Sequence, residues 1–146
     1  MKTYKVEVNA HGHKHWSLNG ELHREDGPAF ESADGDKLWY RNDRLHREDG
    51  PAVEYVAGSK LWYLNGKRHR EDGPAVEATN GNKAWYLNDK LHREDGPAFE
   101  SADGDKHWYI NGRSLTEEQF NDRMNPVSVE KTTETLLDVK NLRIIK

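Results

Sequence analysis

His69-Arg70-Glu71-Asp72-Gly73-Pro74-Ala75-Val76-Glu77-Ala78-Thr79-Asn80-Gly81-Asn82-Lys83-Ala84-Trp85-Tyr86-Leu87-Asn88-Asp89-Lys90-Leu91 is one full period of a pattern that governs the chain. Tryptophan recurs every 23 residues at Trp16, Trp39, Trp62, Trp85 and Trp108, with no insertion or deletion. His-Arg-Glu-Asp-Gly-Pro-Ala recurs in step, from His23, His46, His69 and His92. A fixed internal period of this length marks a repeat architecture. Ala75 to Thr79 reads as a strand, Asn80-Gly81 as a two-residue hairpin turn, and Asn82 to Leu87 as the returning strand. Asn88-Asp89 turns the chain again into Lys90 to Arg93. Asp34-Gly35 and Asp103-Gly104 are the matching first turns; Asn65-Gly66 and Asn111-Gly112 are the matching second turns.

Turn position fixes register. A two-residue first turn places Val76 opposite Trp85, Phe30 opposite Trp39, Val53 opposite Trp62 and Phe99 opposite Trp108. The second turn places Trp62 opposite His69 and Tyr63 opposite Arg68. The expected core face therefore carries Val or Phe, Trp, the following Leu or Ile, and the motif histidine. Tyr40, Tyr63, Tyr86 and Tyr109, with Leu38 and Leu61, form a second row on the other face. Two apolar rows require both faces to be partly covered, which a flat ribbon does not provide. The expected fold is mainly β: tandem 23-residue antiparallel hairpins in a twisted or solenoid-like stack.

The ends depart from the pattern, as stack ends must. Residues 1–112 form the five-unit array, whose first unit is an irregular cap because Glu7 stands where inner units have Val or Phe. Residues 113–126 form a capping helix. Thr116 and Gln119 have capping-box spacing, and Leu115 with Phe120 has staple spacing. The helix should run from about Glu117 to Met124 and stop at Asn125-Pro126. In the tail, 127–146, Leu136, Val139, Leu142 and Ile145 suit a helical stripe, whereas Val127, Val129 and Ile144-Ile145 suit strands. That tail is expected to dock on the stack or on a second copy, and only the second arrangement makes a homo-oligomer.

Composition narrows the function classes. Of the 146 residues, 34% are apolar and 33% charged, and mean hydropathy is −1.11. That average leans toward disorder, but the apolar residues sit at fixed repeat positions and a stack needs only a narrow core. The absence of cysteine excludes disulfides and thiolate metal sites. The start, Met-Lys-Thr-Tyr-Lys-Val-Glu-Val, lacks an apolar signal core, and no stretch nears the ~20 apolar residues of a membrane span. A cytoplasmic protein with no membrane partner is expected. The net charge of −4, with both signs interspersed, argues against duplex DNA as a ligand.

The Trp-Tyr-x-Asn-Gly hairpin units resemble MORN-like hairpin repeats, although the Gly-x-Trp-x-Gly-x-Gly pattern of true MORN units is absent and membrane association does not carry over. Over Trp16 to Phe120 the chain is more similar in spelling to small bacteriophage proteins built from "NGKxHREDGPAxExxxGxKxWY" units, which finish on an "NGxxLTEEEF"-like segment. Here that segment is Asn111-Gly112-Arg113-Ser114-Leu115-Thr116-Glu117-Glu118-Gln119-Phe120. The resemblance implies expression in an infected bacterium, in the host cytoplasm, as an accessory protein that meets a host protein. It implies no catalytic residues.

The motif admits two readings. In one, Arg24, Arg47, Arg70 and Arg93 form a ladder that grips an anionic ligand. In the other the motif is a corner between hairpins: Arg pairs with Glu or Asp, Asp caps the turn, Gly supplies the backbone angle and Pro opens the next strand. Repetition in four units favours the corner. The histidine opposite Trp reads as a packed residue, since no Ser or Cys recurs beside it to make a triad. Polar groups come in sets rather than as one constellation, so no enzyme and no cofactor is expected.

His11, His13 and His15 are the one singular cluster. On a strand they would lie on one face about 7 Å apart, and imidazole suits zinc, nickel or copper. Gly12 places them in a turn with no carboxylate ligand fixed nearby, so they are weak metal candidates. Asp34-Gly35-Asp36 and Asp103-Gly104-Asp105 lack the other ligands of a calcium loop. Leu22–Lys37 and Leu91–Lys106 are identical over 16 residues at a separation of 69, three periods, which marks recent duplication.

The leading expectation is a non-enzymatic protein that binds, and modulates or inhibits, a host protein through a repeat-built surface. Tyr40, Tyr63, Tyr86, Tyr109 and the four motif arginines are its candidate contacts. The alternative is sequestration of a small anion such as a nucleotide in Arg/Tyr-lined pockets.

Overall fold

A computed structural model describes residues 2–126; the expectations for the 127–146 tail lie outside the described residues. The protein is mainly β. Short strands pair antiparallel in one twelve-stranded sheet, and three two-stranded ladders lie off it. The chain divides into two compact units, the first ending at Ser114 and the second beginning at Leu115.

Each inner repeat contributes one hairpin to the large sheet and one to a smaller ladder. In the third repeat, Val53–Glu54 and Lys60–Leu61 belong to the sheet, while Tyr63–Leu64 and Lys67–Arg68 form the ladder. The second turn has the expected form. Asn65 and Gly66 both take positive φ, +49° and +80°, as a two-residue type I′ turn requires. Tyr63 accordingly pairs with Arg68, and the His69 amide donates to the Trp62 carbonyl at 3.1 Å.

The first turn corrects the expected register by one residue. Val76 pairs with Ala84, Phe30 with Leu38, Val53 with Leu61 and Phe99 with His107. In this turn only Gly81 has positive φ, at +93°. Ala78 and Asn82 close the loop, with Ala78 N donating to Asn82 O and Gly81 N to Ala78 O. That is a three-residue loop with glycine in the left-handed position, one residue longer than an Asn-Gly type I′ turn. A one-residue slip exchanges faces, so Val and Phe leave the Trp face.

The corrected register sets out three rows across the sheet. One is apolar: Phe30, Leu38, Val53, Leu61, Val76, Ala84 and Phe99, ended by His15 and His107. Beside it Lys14, Glu31, Lys37, Glu54, Lys60, Glu77, Lys83, Glu100 and Lys106 alternate in sign from strand to strand. Opposite charges on facing strands stabilise each pairing by a few tenths of a kcal/mol, about 0.2–1. In the third row Trp16, Trp39, Trp62 and Trp85 each meet the motif alanine of the next unit: Trp39 N donates to Ala52 O, and Trp62 N to Ala75 O. Ala29, Ala52, Ala75 and Ala98 are wholly buried, and Val53 is buried. The core is thin because close strand approach at alanine, rather than bulky side chains, closes each repeat on the next.

Side chains stitch the units along the stack. His13 Nδ1, Asp36 Oδ1, Ser59 Oγ and Asn82 Oδ1 each accept the backbone N–H twenty residues on, from Ala33, Val56, Thr79 and Ala102. The first hairpin keeps the inner register, with Glu7↔His15 standing where Val76↔Ala84 does, and pairs over four positions from Lys5↔Ser17 to Val8↔Lys14. In the second unit the helix runs Glu117–Met124 with a complete capping box. Gln119 N donates to Thr116 Oγ1, and Thr116 N to Gln119 Oε1. Among the described residues, no helix is long and apolar enough to cross a membrane.

Candidate functional site

The His-Arg-Glu-Asp-Gly-Pro-Ala segments form corners between successive hairpins. In each, the guanidinium lies on the preceding Trp ring: Arg24 on Trp16 at 4.2 Å, Arg47 on Trp39 and Arg70 on Trp62 at 3.9 Å, Arg93 on Trp85 at 3.8 Å. Arg70 Nε donates to Asp72 at 2.9 Å, and its Nη1 donates to the Pro74 carbonyl at 3.0 Å and to Glu77 at 3.1 Å. Arg47 and Arg93 make the same three bonds. Arg24 bonds Asp26 and Pro28, while Glu31 stands 3.9 Å away. The guanidinium fork is thus committed within its own corner.

The motif glycine serves that stacking, not the backbone angle expected of it. Gly27, Gly50, Gly73 and Gly96 do not have positive φ, and a Cβ on them would lie 2.8–3.0 Å from the Arg Cζ. A Cβ there would press on the guanidinium, which crosses directly over the main chain and would have to move.

The motif histidine binds the next unit. His46 Nδ1 accepts from Asn65 N at 3.0 Å, and His23, His69 and His92 accept equivalently from Asn42, Asn88 and Asn111. An acceptor Nδ1 leaves the ring proton on Nε2, which faces the motif glutamate: His46 to Glu48 is 3.4 Å. His23 and His46 are buried. Their role is packing and inter-unit bonding, in line with the sequence reading.

The tyrosine row is half-buried throughout. Burial raises the pKa of the Tyr40 and Tyr63 hydroxyls, and Arg68 stacks on Tyr86 at 4.0 Å while pairing with Asp89. Each motif Arg amide donates to a row carbonyl, Arg47 N to Tyr63 O at 3.1 Å for example. The two sets of residues therefore meet through the backbone. The histidine cluster does not lie along one strand: only His15 falls within the strand Lys14–Leu18. The His11 and His13 rings are 6.1 Å apart, His13 Nδ1 accepts from Ala33 N, and His15 packs edge-on to Phe30. Among the described residues no group of three or more His, Asp or Glu is arranged to hold a metal ion.

Grooves lie between consecutive corners. One, of about 760 Å³, is lined by Arg47 to Pro51 on one side, His69 to Asp72 on the other, and Trp62 and Leu64. The next, of about 710 Å³, has the same lining displaced by one period, from Arg70 to Pro74, His92 to Asp95, Trp85 and Leu87. Glu48, Asp49, Glu71, Asp72, Glu94 and Asp95 on their rims are 71–87% exposed at the side chain. Arg47 keeps the Asp49 carboxyl below the ordinary carboxylate pKa. The sequence reading includes acidic side chains in the presented surface without assigning these carboxylates a site of their own. The signal was present in a charge count: four motif arginines against eight motif carboxylates leave −4 on the corners, the net charge of the entire chain.

No protein-family model matches the chain, and no curated protein matches it.

Proposed function

We propose that the protein is a non-enzymatic binding scaffold that engages another protein through its corner grooves and thereby modulates it. One observation carries this reading: the same Trp/Leu-floored, carboxylate-rimmed groove recurs one period apart. A site copied at fixed spacing suits an extended partner better than a single reacting centre, and aromatic anchors with a polar rim are the usual anatomy of protein interfaces. The similarity in spelling to bacteriophage repeat proteins extends the proposal to a host protein in an infected bacterium. The sequestration alternative loses ground on electrostatics. Its arginines already donate to carboxylates and carbonyls, and the exposed charges on the groove rims are the carboxylates.

The test is capture from a bacterial lysate with the wild-type chain and with a Leu64→Lys/Leu87→Lys variant shown by circular dichroism to retain its fold. A stoichiometric protein partner retained by the wild type and lost by the variant supports the reading. Capture that ignores the groove variant, or co-purification of a nucleotide in place of a protein, overturns it.

A further inference from the structure

We infer that the corner grooves accept a basic, extended segment in polyproline II conformation with Lys or Arg at every third residue. This rests on the protein-binding reading above and adds the chemistry of the partner. Three observations converge on it.

The first is charge complementarity. The alternating row across the sheet holds five Lys and four Glu, while the corners hold eight motif carboxylates against four motif arginines, with Lys2 paired to Glu25. Glu48, Glu71 and Glu94 have 71–85% exposed side chains and stand 3.4–3.6 Å from their motif histidines, and Arg41 also lies 3.7 Å from Glu48. Glu71 and Glu94 have no Lys or Arg partner among the described residues, and a bound anion would face them.

The second is spacing. Each unit advances the sheet by two strands, as in the successive pairing of Val53–Glu54 with Lys60–Leu61 and then Val76–Glu77. At ~4.8 Å per strand the corners repeat about every 9.6 Å. A polyproline II helix repeats every three residues, at ~3.1 Å each, or about 9.3 Å. Cations three residues apart therefore keep step with successive Glu-Asp pairs, which an α-helix at ~1.5 Å per residue would do only at every sixth or seventh position.

The third is the floor. Trp62 with Leu64, and Trp85 with Leu87, line adjacent grooves. Aromatic-lined grooves favour the rigid, low-entropy polyproline II backbone. The residues between the cations would sit on these floors.

The test uses the full chain and three labelled peptides: a five-fold Lys-Pro-Pro repeat, a block peptide of the same composition, and a five-fold Glu-Pro-Pro repeat. Binding is read by fluorescence anisotropy and calorimetry at low and raised salt. The expected result is one Lys-Pro-Pro peptide per chain, bound about tenfold tighter than the block peptide and weakened by salt. The Glu71→Gln/Glu94→Gln variant should bind it about fivefold more weakly, the range of one to two exposed ion pairs. Equal binding of the block peptide would show that spacing is not read and would overturn the inference, as would preference for the acidic peptide. If none of the three binds while a lysate protein is still captured through Leu64 and Leu87, the partner chemistry fails and the scaffold reading stands. If capture fails too, both fall.

Discussion

The Arg70 guanidinium carbon lies 3.9 Å from the centre of the Trp62 ring, and a Cβ on Gly73 would come within 2.9 Å of that same carbon. Trp, Arg and Gly are therefore one layered unit, repeated four times. The two most chemical-looking letters of the motif are accounted for by this stacking and by the bonds to Asp72, Pro74 and Glu77.

Gly73→Ala should displace Arg70 and destabilise the protein by about 1–3 kcal/mol through overpacking. Gly104→Ala separates this from backbone strain. Gly104 has φ +97° with nothing within 4 Å of the added Cβ, so its cost should be about 1 kcal/mol. Urea midpoints of the two variants check the difference. Equal losses would show that close approach of Arg70 is not what requires Gly73.

His46→Ala leaves the Asn65 N–H without the Nδ1 acceptor and should cost about 1–3 kcal/mol. His46→Asn returns an acceptor oxygen near the same place and should recover part of that loss. If Asn is no better than Ala, the histidine contributes by volume alone. Thermal unfolding of the three proteins decides it.

Stability should fall on the acid side. Arg47 lowers the Asp49 pKa and Arg68 lowers that of Asp89, in each case chiefly through a side-chain hydrogen bond. The folded protein then binds fewer protons than the unfolded chain near pH 4. The stabilisation is present above the unfolded value and is lost as pH falls through the folded ones. Urea midpoints should drop below about pH 4, with a shallower drop in Asp49→Asn/Asp89→Asn. An unchanged profile in that variant would remove these pairs from the acid response.

The second turn was legible because its first residue is always Asn, at 19, 42, 65, 88 and 111, all with positive φ. The first turn was misread because Asn80-Gly81 has the letters of the same turn. An equivalent turn held the clue: Ala57-Gly58 puts a residue poorly suited to positive φ before the glycine. Only a longer loop, with glycine alone left-handed, serves all five units. The helix was legible from Thr116 and Gln119, whose reciprocal bonds are local. The stacking of Arg70 over Gly73 was not, since it depends on where the Trp62 ring lies eight residues earlier.

The most direct measurement is a pair of ¹⁵N-resolved NMR titrations that follow the tryptophan indole N–H and arginine Nε–H resonances, one with the Lys-Pro-Pro peptide and one with inorganic triphosphate. The indole signals of Trp62 and Trp85 should shift with the peptide, while the Nε–H signals of Arg47, Arg70 and Arg93 hold still in triphosphate. Saturable shifts of those arginine signals in triphosphate, with the indoles indifferent to the peptide, would contradict both the structural role of the Arg ladder and the groove as its protein-binding face.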